Sequence, residues 1–257
     1  LSEKDIHKII NYCKKKKILS LFSPFDTWGI DYLIKKKFNI IKIPSGEIAS
    51  YKYLKHLAKF NRKLILSTGM AKLEEIKIAV KHLVKNGTER KNITLLQCNT
   101  EYPTPFKDLN LNTIPILKKK LKLDVGLSDH SEGIVAPIVA ISCGAKIIEK
   151  HITLSKKMSG PDHKASLEVS ELPSFVQSIR KAEKAMGKIK KILSKAELTN
   201  KKVLRRSIVA SKKIKKGQIF TLQNITTKRP SHGLSPTNWF KILGKKSKKN
   251  YSKDDFI

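Results

Sequence analysis

The sequence predicts a repeated βα architecture, a parallel sheet covered by helices, followed by a small β-rich domain. Three observations lead there. Short apolar β-branched runs recur through the first 151 residues, helix-length stretches separate them, and this rhythm stops after residue 187. Strands that are apolar on both faces belong in a parallel sheet with helices on each side.

The elements follow in order. Residues 2–13 (SEKDIHKIINYC) read as a helix, with Ser2 as cap, Asp5 three residues on, and Ile6, Ile9 and Ile10 as an apolar stripe. No strand run precedes it, so the chain is expected to enter its fold part-way. Strands are predicted at 18–23, 39–45, 63–68, 92–98, 124–129 and 146–151, and helices at 73–87, 133–144 and 171–187. Six strands complete an open doubly wound sheet. They also fit an eight-stranded barrel, at roughly 30 residues per unit, with two units absent. Pattern alone leaves both open. The lysine-rich residues 188–202 read as a solvated linker. Residues 203–257 carry the short strands SIVAS, KKGQIF and NITTKRP, broken by turn residues. The expected domains are therefore 1–187 and 203–257, joined by 188–202.

Composition bounds the function. The 257 residues hold 54 Lys and Arg against 21 Asp and Glu, a formal charge of +33. The lysines are spread over every segment. No arginine-rich arm, zinc-finger spacing or aromatic stacking motif accompanies them, so no nucleic-acid partner is expected. A positive field instead favours an anionic substrate. No run approaches the roughly 20 apolar residues of a membrane span, and no signal peptide is visible. Three scattered cysteines, Cys13, Cys98 and Cys143, without a Cys-x-x-Cys motif, suit a reducing cytoplasm. Leu1 in place of Met predicts a start that is missing or processed.

Functional residues gather at predicted strand ends, where parallel α/β folds bind ligands. VGLSDH ends at His130 and KIIEKH at His151, on consecutive strands. Parallel neighbours lie about 4.8 Å apart, so both imidazoles can reach one ion. The alternative is a pair of hydrogen-bonded structural histidines. IKIPSGEI clusters Lys42, Ser45, Gly46 and Glu47 at one strand end, and LSTGM places Ser67 at the next. These turns are either polar loops or anion cradles built from lysine charge, hydroxyls and backbone N–H groups.

IKIPSGEI, LILSTGMA, LLQCNTEYPTP, GLSDHSEG, IIEKHITL and GPDHKASLE, in this order, closely resemble the sialic acid synthase family. KKIKKGQIFT and ITTKRPSHGLSP resemble its C-terminal antifreeze-like (SAF) domain. The resemblance implies an aldolase-type TIM (βα)8 barrel lacking its first two βα units, plus the SAF domain. Those two units carry a Gly-x-Asn-His-Asn-Gly-like strand end in the family, so the chain is expected to be a fragment. It further implies condensation of phosphoenolpyruvate with an N-acylated hexosamine, giving a nonulosonic acid and phosphate. The cofactor would be a divalent metal, Mn2+ before Mg2+ or Co2+. The assembly would be a homodimer with each SAF domain over the partner's barrel.

Carried over by motif, His130 and His151 match metal ligands. Lys42, Ser45, Ser67 and Ser128 match the phosphoenolpyruvate pocket, with Ser23 at a phosphate-side hydroxyl position. Glu47, Tyr102 and Asp162 match sugar-side groups, and Glu47 with Lys42 would serve the chemistry directly. Thr100 stands where some members have asparagine, and a hydroxyl lacks the amide's second donor. Arg229 matches an arginine that reaches the sugar's acyl group from the SAF domain. Glu149 and His163 are expected behind the ligands, and Trp28 and Trp239 in packing. The SGE form at 45–47 resembles neuraminate and legionaminate synthases more than pseudaminate synthases. Two other readings stand beside this one: a truncated, non-catalytic binding protein without phosphate-releasing activity, and nucleic-acid binding through the lysines.

Overall fold

The computed structural model describes residues 2–257, which divide into two compact units between Gly187 and Lys188. The first unit opens with α1 (Glu3–Lys15), where Ser2 Oγ accepts from the Asp5 N–H at 3.3 Å and the reciprocal bond completes a capping box. Then come α2 (Thr27–Lys35), β1 (Ile40–Ile43), α3 (Tyr51–Ala58), β2 (Lys63–Ser67) and α4 (Leu73–Lys85). Next are β3 (Ile93–Cys98), α5 (Thr113–Leu121), β4 (Asp124–Asp129), α6 (Val135–Ser142) and β5 (Ile148–Lys150). The two-residue strands β6 (Ile152–Thr153) and β7 (Leu167–Glu168) pair in parallel, and α7 (Leu172–Met186) closes the unit.

All five long strands are parallel and adjacent in chain order, β1-β2-β3-β4-β5. A doubly wound sheet reverses its strand order at a switch point. This one does not. The order is that of a (βα)8 barrel, and the curvature agrees. In a flat sheet β1 and β5 would stand about 19 Å apart, yet Lys42 on β1 reaches Glu149 on β5 at 3.3 Å. The helix-facing side of the sheet (Ile41, Ile43, Leu95, Val125, Leu127) packs with α2–α6 into the main core. A smaller cluster of Ile141, Leu167, Phe175 and Ile179 joins α6 to α7.

Two predicted strands of the first unit change. Residues 18–23 form no strand: their one backbone bond to the sheet runs from the Lys42 N–H to the Phe22 carbonyl, 3.2 Å. A single bond makes no ladder, and Ile18 and Leu19 stay 63% and 84% exposed. The predicted strand 146–151 shortens to Ile148–Lys150, so His151 sits just beyond its end. Trp28 is not packed inside either; it is exposed and stacked on Tyr32.

The second unit starts with α8 (Lys195–Leu204), a helix with no buried residue that occupies much of the segment expected to be a solvated linker. Its start is a capping box: the Glu197 N–H donates to Ser194 Oγ at 3.1 Å, and the Ser194 N–H donates to Glu197 Oε2 at 2.8 Å. Strands β8 (Ser207–Ala210) and β9 (Ile225–Lys228) pair antiparallel. KKGQIF forms no strand; Ile214 and Ile219 make single antiparallel bridges to Tyr251 and Lys246. Short α9 (Trp239–Ile242) packs Trp239 and Ile242 against a separate core of Ile208, Ala210, Ile214, Phe220 and Ile225.

Candidate functional site

The C-terminal ends of β1 to β5 bring most of the predicted residues together. Alternation along a strand puts Ser128 on the opposite face from the core residues Val125 and Leu127, inside the curl of the sheet. There Ser128 Oγ donates to Glu149 Oε1 at 2.6 Å, and the same oxygen receives Lys42 Nζ at 3.3 Å. Lys42 and Ser128 are both buried. Glu149 is thus a hub between lysine and serine, a more direct part than the supporting one expected of it.

The turns after β1, β2 and β3 converge beside this hub. The Gly69 N–H donates to Ser45 Oγ at 3.0 Å. A Cβ on Gly69 would come within 2.8 Å of both Ser45 Oγ and the Thr100 methyl, so this close approach requires glycine. Ser67 is buried and its Oγ has no hydrogen-bond partner among the described residues. An unpaired buried hydroxyl is costly, and a ligand oxygen is the partner that would remove the cost.

The imidazoles adjoin the hub, with His130 Nε2 3.4 Å from Ser128 Oγ. The His130 and His151 ring centroids are 5.2 Å apart and the rings perpendicular. His130 Nδ1 lies 2.5 Å from the Asn99 carbonyl oxygen. A carbonyl only accepts, so Nδ1 carries the proton and Nε2 keeps its lone pair. Burial holds the His130 pKa below the usual imidazole value, against the opposing Asn99 bond. The ring is therefore neutral, the form that ligates metal. Tyr102 stacks on His130 at 4.0 Å and meets His151 edge-on at 5.4 Å. Burial, with Cys98, Asp162 and Glu149 adding, pushes its phenol up to about 12, so it stays a hydroxyl donor. Asp162 Oδ2 lies 3.8 Å from His151 Nδ1.

This donor pair fits a divalent ion that accepts imidazole nitrogen. Among the described residues no group of three His, Cys, Asp or Glu side chains surrounds a common point. Any ion here would complete its shell with water or substrate oxygens.

Other predicted residues stand apart from this network. Glu47 lies in the 3-10 turn Ser45–Glu47, and its side chain makes no hydrogen bond among the described residues. Ser23 is exposed, one residue past the Phe22 carbonyl that Lys42 engages. Thr100 is also exposed, and offers its methyl rather than its hydroxyl to Gly69. His163 Nδ1 pairs with Thr153 Oγ1 at 2.7 Å. Arg229 belongs to the second unit, where its Nε donates to the Leu204 carbonyl at 2.8 Å. Sequence reasoning overlooked the Asn99 carbonyl, which no side-chain motif reveals, and the pair Asp129–Lys150, discussed below. The hub role of Glu149 was within reach, because alternation places it on the same face as His151.

A singly wound parallel βα sheet with its polar and imidazole side chains gathered at the strand C-termini is the architecture of a TIM-type (βα)8 barrel. Residues 1–191 match the NeuB family and residues 205–257 the SAF domain. The N,N'-diacetyllegionaminic acid synthase of Campylobacter jejuni serotype O:2 is 52% identical over 98% of this chain and 75% of its own length. The pseudaminic acid synthase of Campylobacter jejuni serotype O:23/36 is 39% identical over 97% of this chain and 72% of its own length. The solved N-acetylneuraminic acid synthetase of Leptospira borgpetersenii, in complex with citrate, superposes with a TM-score of 0.73 at 33% identity, over 78% of this chain and 69% of that one. The chain belongs to the NeuB family.

Proposed function

We propose that this chain carries the reaction face of a nonulosonic acid synthase, which joins phosphoenolpyruvate to an N-acylated hexosamine and releases phosphate. The observation that carries the reading is the meeting of Lys42, Ser128 and the unpartnered Ser67 hydroxyl with two perpendicular imidazoles at one sheet end. An anionic substrate and an electrophilic carbonyl need those two sides. The 52% identity to a legionaminic acid synthase, against 39% to a pseudaminic acid synthase, favours a diacetamido sugar of the legionaminic type, with an N-acetylmannosamine-like sugar as the second candidate.

Lys42, Ser45, Ser67 and Ser128 balance and orient the phosphate and carboxylate of phosphoenolpyruvate, with Ser23 at the phosphate side. Tyr102, Asp162 and Thr100 hold sugar hydroxyls so that the aldehyde carbon faces the phosphoenolpyruvate methylene. That methylene forms the new carbon–carbon bond, and the aldehyde π electrons move to its oxygen, which takes a proton. Positive charge on the phosphate-bearing carbon is captured by water; the bond to phosphate then breaks. Glu47 stabilises that charge or accepts the water proton. A divalent ion on His130 and His151, Mn2+ foremost, supplies Lewis acidity at the aldehyde oxygen. In a homodimer Arg229 meets the acyl group from the other subunit's SAF domain.

The test is incubation with phosphoenolpyruvate and each sugar, following phosphate by colour assay and product by mass spectrometry, with calorimetric binding of phosphoenolpyruvate in parallel. The expected result is phosphoenolpyruvate binding that weakens at least tenfold in Lys42→Met, and a product with the mass of sugar plus pyruvate. Phosphate release that ignores the sugar replaces condensation with simple hydrolysis. Binding unaffected by Lys42→Met removes the assignment of the anion side.

A further inference from the structure

Each imidazole is preceded in the chain by a buried charge, and these two charges meet. Asp129 is fully buried, the Lys150 side chain is 5% exposed, and Lys150 Nζ donates to Asp129 Oδ2 at 2.8 Å. The other carboxylate oxygen accepts from the Ser131 N–H at 2.9 Å and the Ser131 hydroxyl at 2.7 Å. The same ammonium also donates to the Ser131 carbonyl. Both carboxylate oxygens are thereby occupied.

Alternation puts this pair on the side of the sheet away from Ser128, Glu149 and the reaction face, on the side of Val125 and Leu127. Asp129 and Lys150 are register partners, the last rung of a ladder whose only other rungs are Leu127↔Ile148 and Ser128↔Glu149. Two backbone bonds ahead of these rungs, from the Leu127 N–H to the Ile147 carbonyl and from the Lys146 N–H to the Val125 carbonyl, both 2.8 Å, hold the start of the ladder; the ion pair sits at its far end, where a one-residue slip would turn His151 to the wrong face. Buried ion pairs give little net stability over apolar replacements; fixing one arrangement among several is the better-attested use.

We propose that Asp129 and Lys150 form a positioning pair that locks the β4–β5 register and so sets the separation and orientation of His130 and His151 as a ligand pair. The proposal rests on reading those histidines as metal ligands. It assigns the ion pair a task at the site without contact to substrate or metal.

Lys150→Met leaves Asp129 buried and unpaired, while Asp129→Leu/Lys150→Met fills the space with apolar groups. The single variant should lower Tm and the double variant recover it. Mn2+ affinity, from electron paramagnetic resonance of free Mn2+, should nonetheless stay at least tenfold weaker in the double variant. In the metal-free chain, long-range 1H–15N spectra should show His130 protonated on Nδ1 in the parent and a tautomer mixture in the double variant. Parental Mn2+ affinity with a parental imidazole spectrum in a stable double variant overturns the proposal. A parent that binds no Mn2+ sinks the metal reading instead, and the imidazole spectrum then decides the positioning role alone. Should the double variant fail to fold, Asp129→Asn, which keeps the shape and loses the charge, is read by the same two measurements.

Discussion

Ser67 makes a testable conflict between stability and binding. Its hydroxyl is buried without a partner, and such a group costs roughly 1–3 kcal/mol until something pairs with it. Ser67→Ala should therefore raise Tm or leave it unchanged, while weakening phosphoenolpyruvate about tenfold, the equivalent of about 1.4 kcal/mol. Thermal melts and calorimetric titration of the same preparation check both halves; a drop in Tm with unchanged affinity would make the hydroxyl structural. At this scale the sequence was informative wherever a residue type announced its chemistry. His130, His151, Lys42 and Ser128 all lie where strand-end reasoning puts them, around one region. Partnerships were less legible. That Glu149 joins Lys42 to Ser128 depends on the curl of the sheet, which brings β5 back toward β1 and leaves no trace in local pattern.

Among the elements, β4 has no room for a side chain at Gly126. A Cβ on Gly126 would lie 2.4 Å from the Ile147 carbonyl oxygen and 2.7 Å from Leu96 Cδ2. The backbone atom cannot swing aside, so Gly126→Ala should cost at least the ~1–3 kcal/mol of an overpacked core, read from urea unfolding midpoints. A change under about 0.5 kcal/mol, the ordinary surface range, would mean that β5 shifts easily and its register is loosely held. Strands β1 to β4 were legible because buried parallel strands are continuous apolar runs. Helix α3 was not, since its eight residues (YKYLKHLA) bury Tyr53, Leu54, Leu57 and Ala58 through a stripe too short to stand out. The helix in the expected linker was signalled by Ser194 and Glu197, a capping box masked by the surrounding lysines. Residues 18–23 have the composition of a strand but gain only one backbone bond to the sheet, and composition cannot reveal a missing ladder.

For the whole molecule the dominant fact is the charge of +33. Self-repulsion of this size destabilises a compact chain, and salt screens it over a Debye length of about 10 Å at 0.1 M. Raising NaCl from about 0.05 to 0.5 M should raise Tm by several degrees in differential scanning fluorimetry. A fall would show that exposed ion pairs such as Arg180–Glu183, which salt also screens, outweigh the global field. No described helix is long and apolar enough to cross a membrane. The barrel order was recoverable only as one of two options from pattern, because strand order is a property of the sheet and not of any strand. That order also carries a timetable. Domains fold as the ribosome delivers them, N-terminal parts first, and here each strand pairs with the one made just before it. Lys42 and Ser67 emerge before His130, and His130 before His151. Asp129 leaves the ribosome 21 residues ahead of Lys150, so the carboxylate that ends buried has no ammonium partner until β5 has been made.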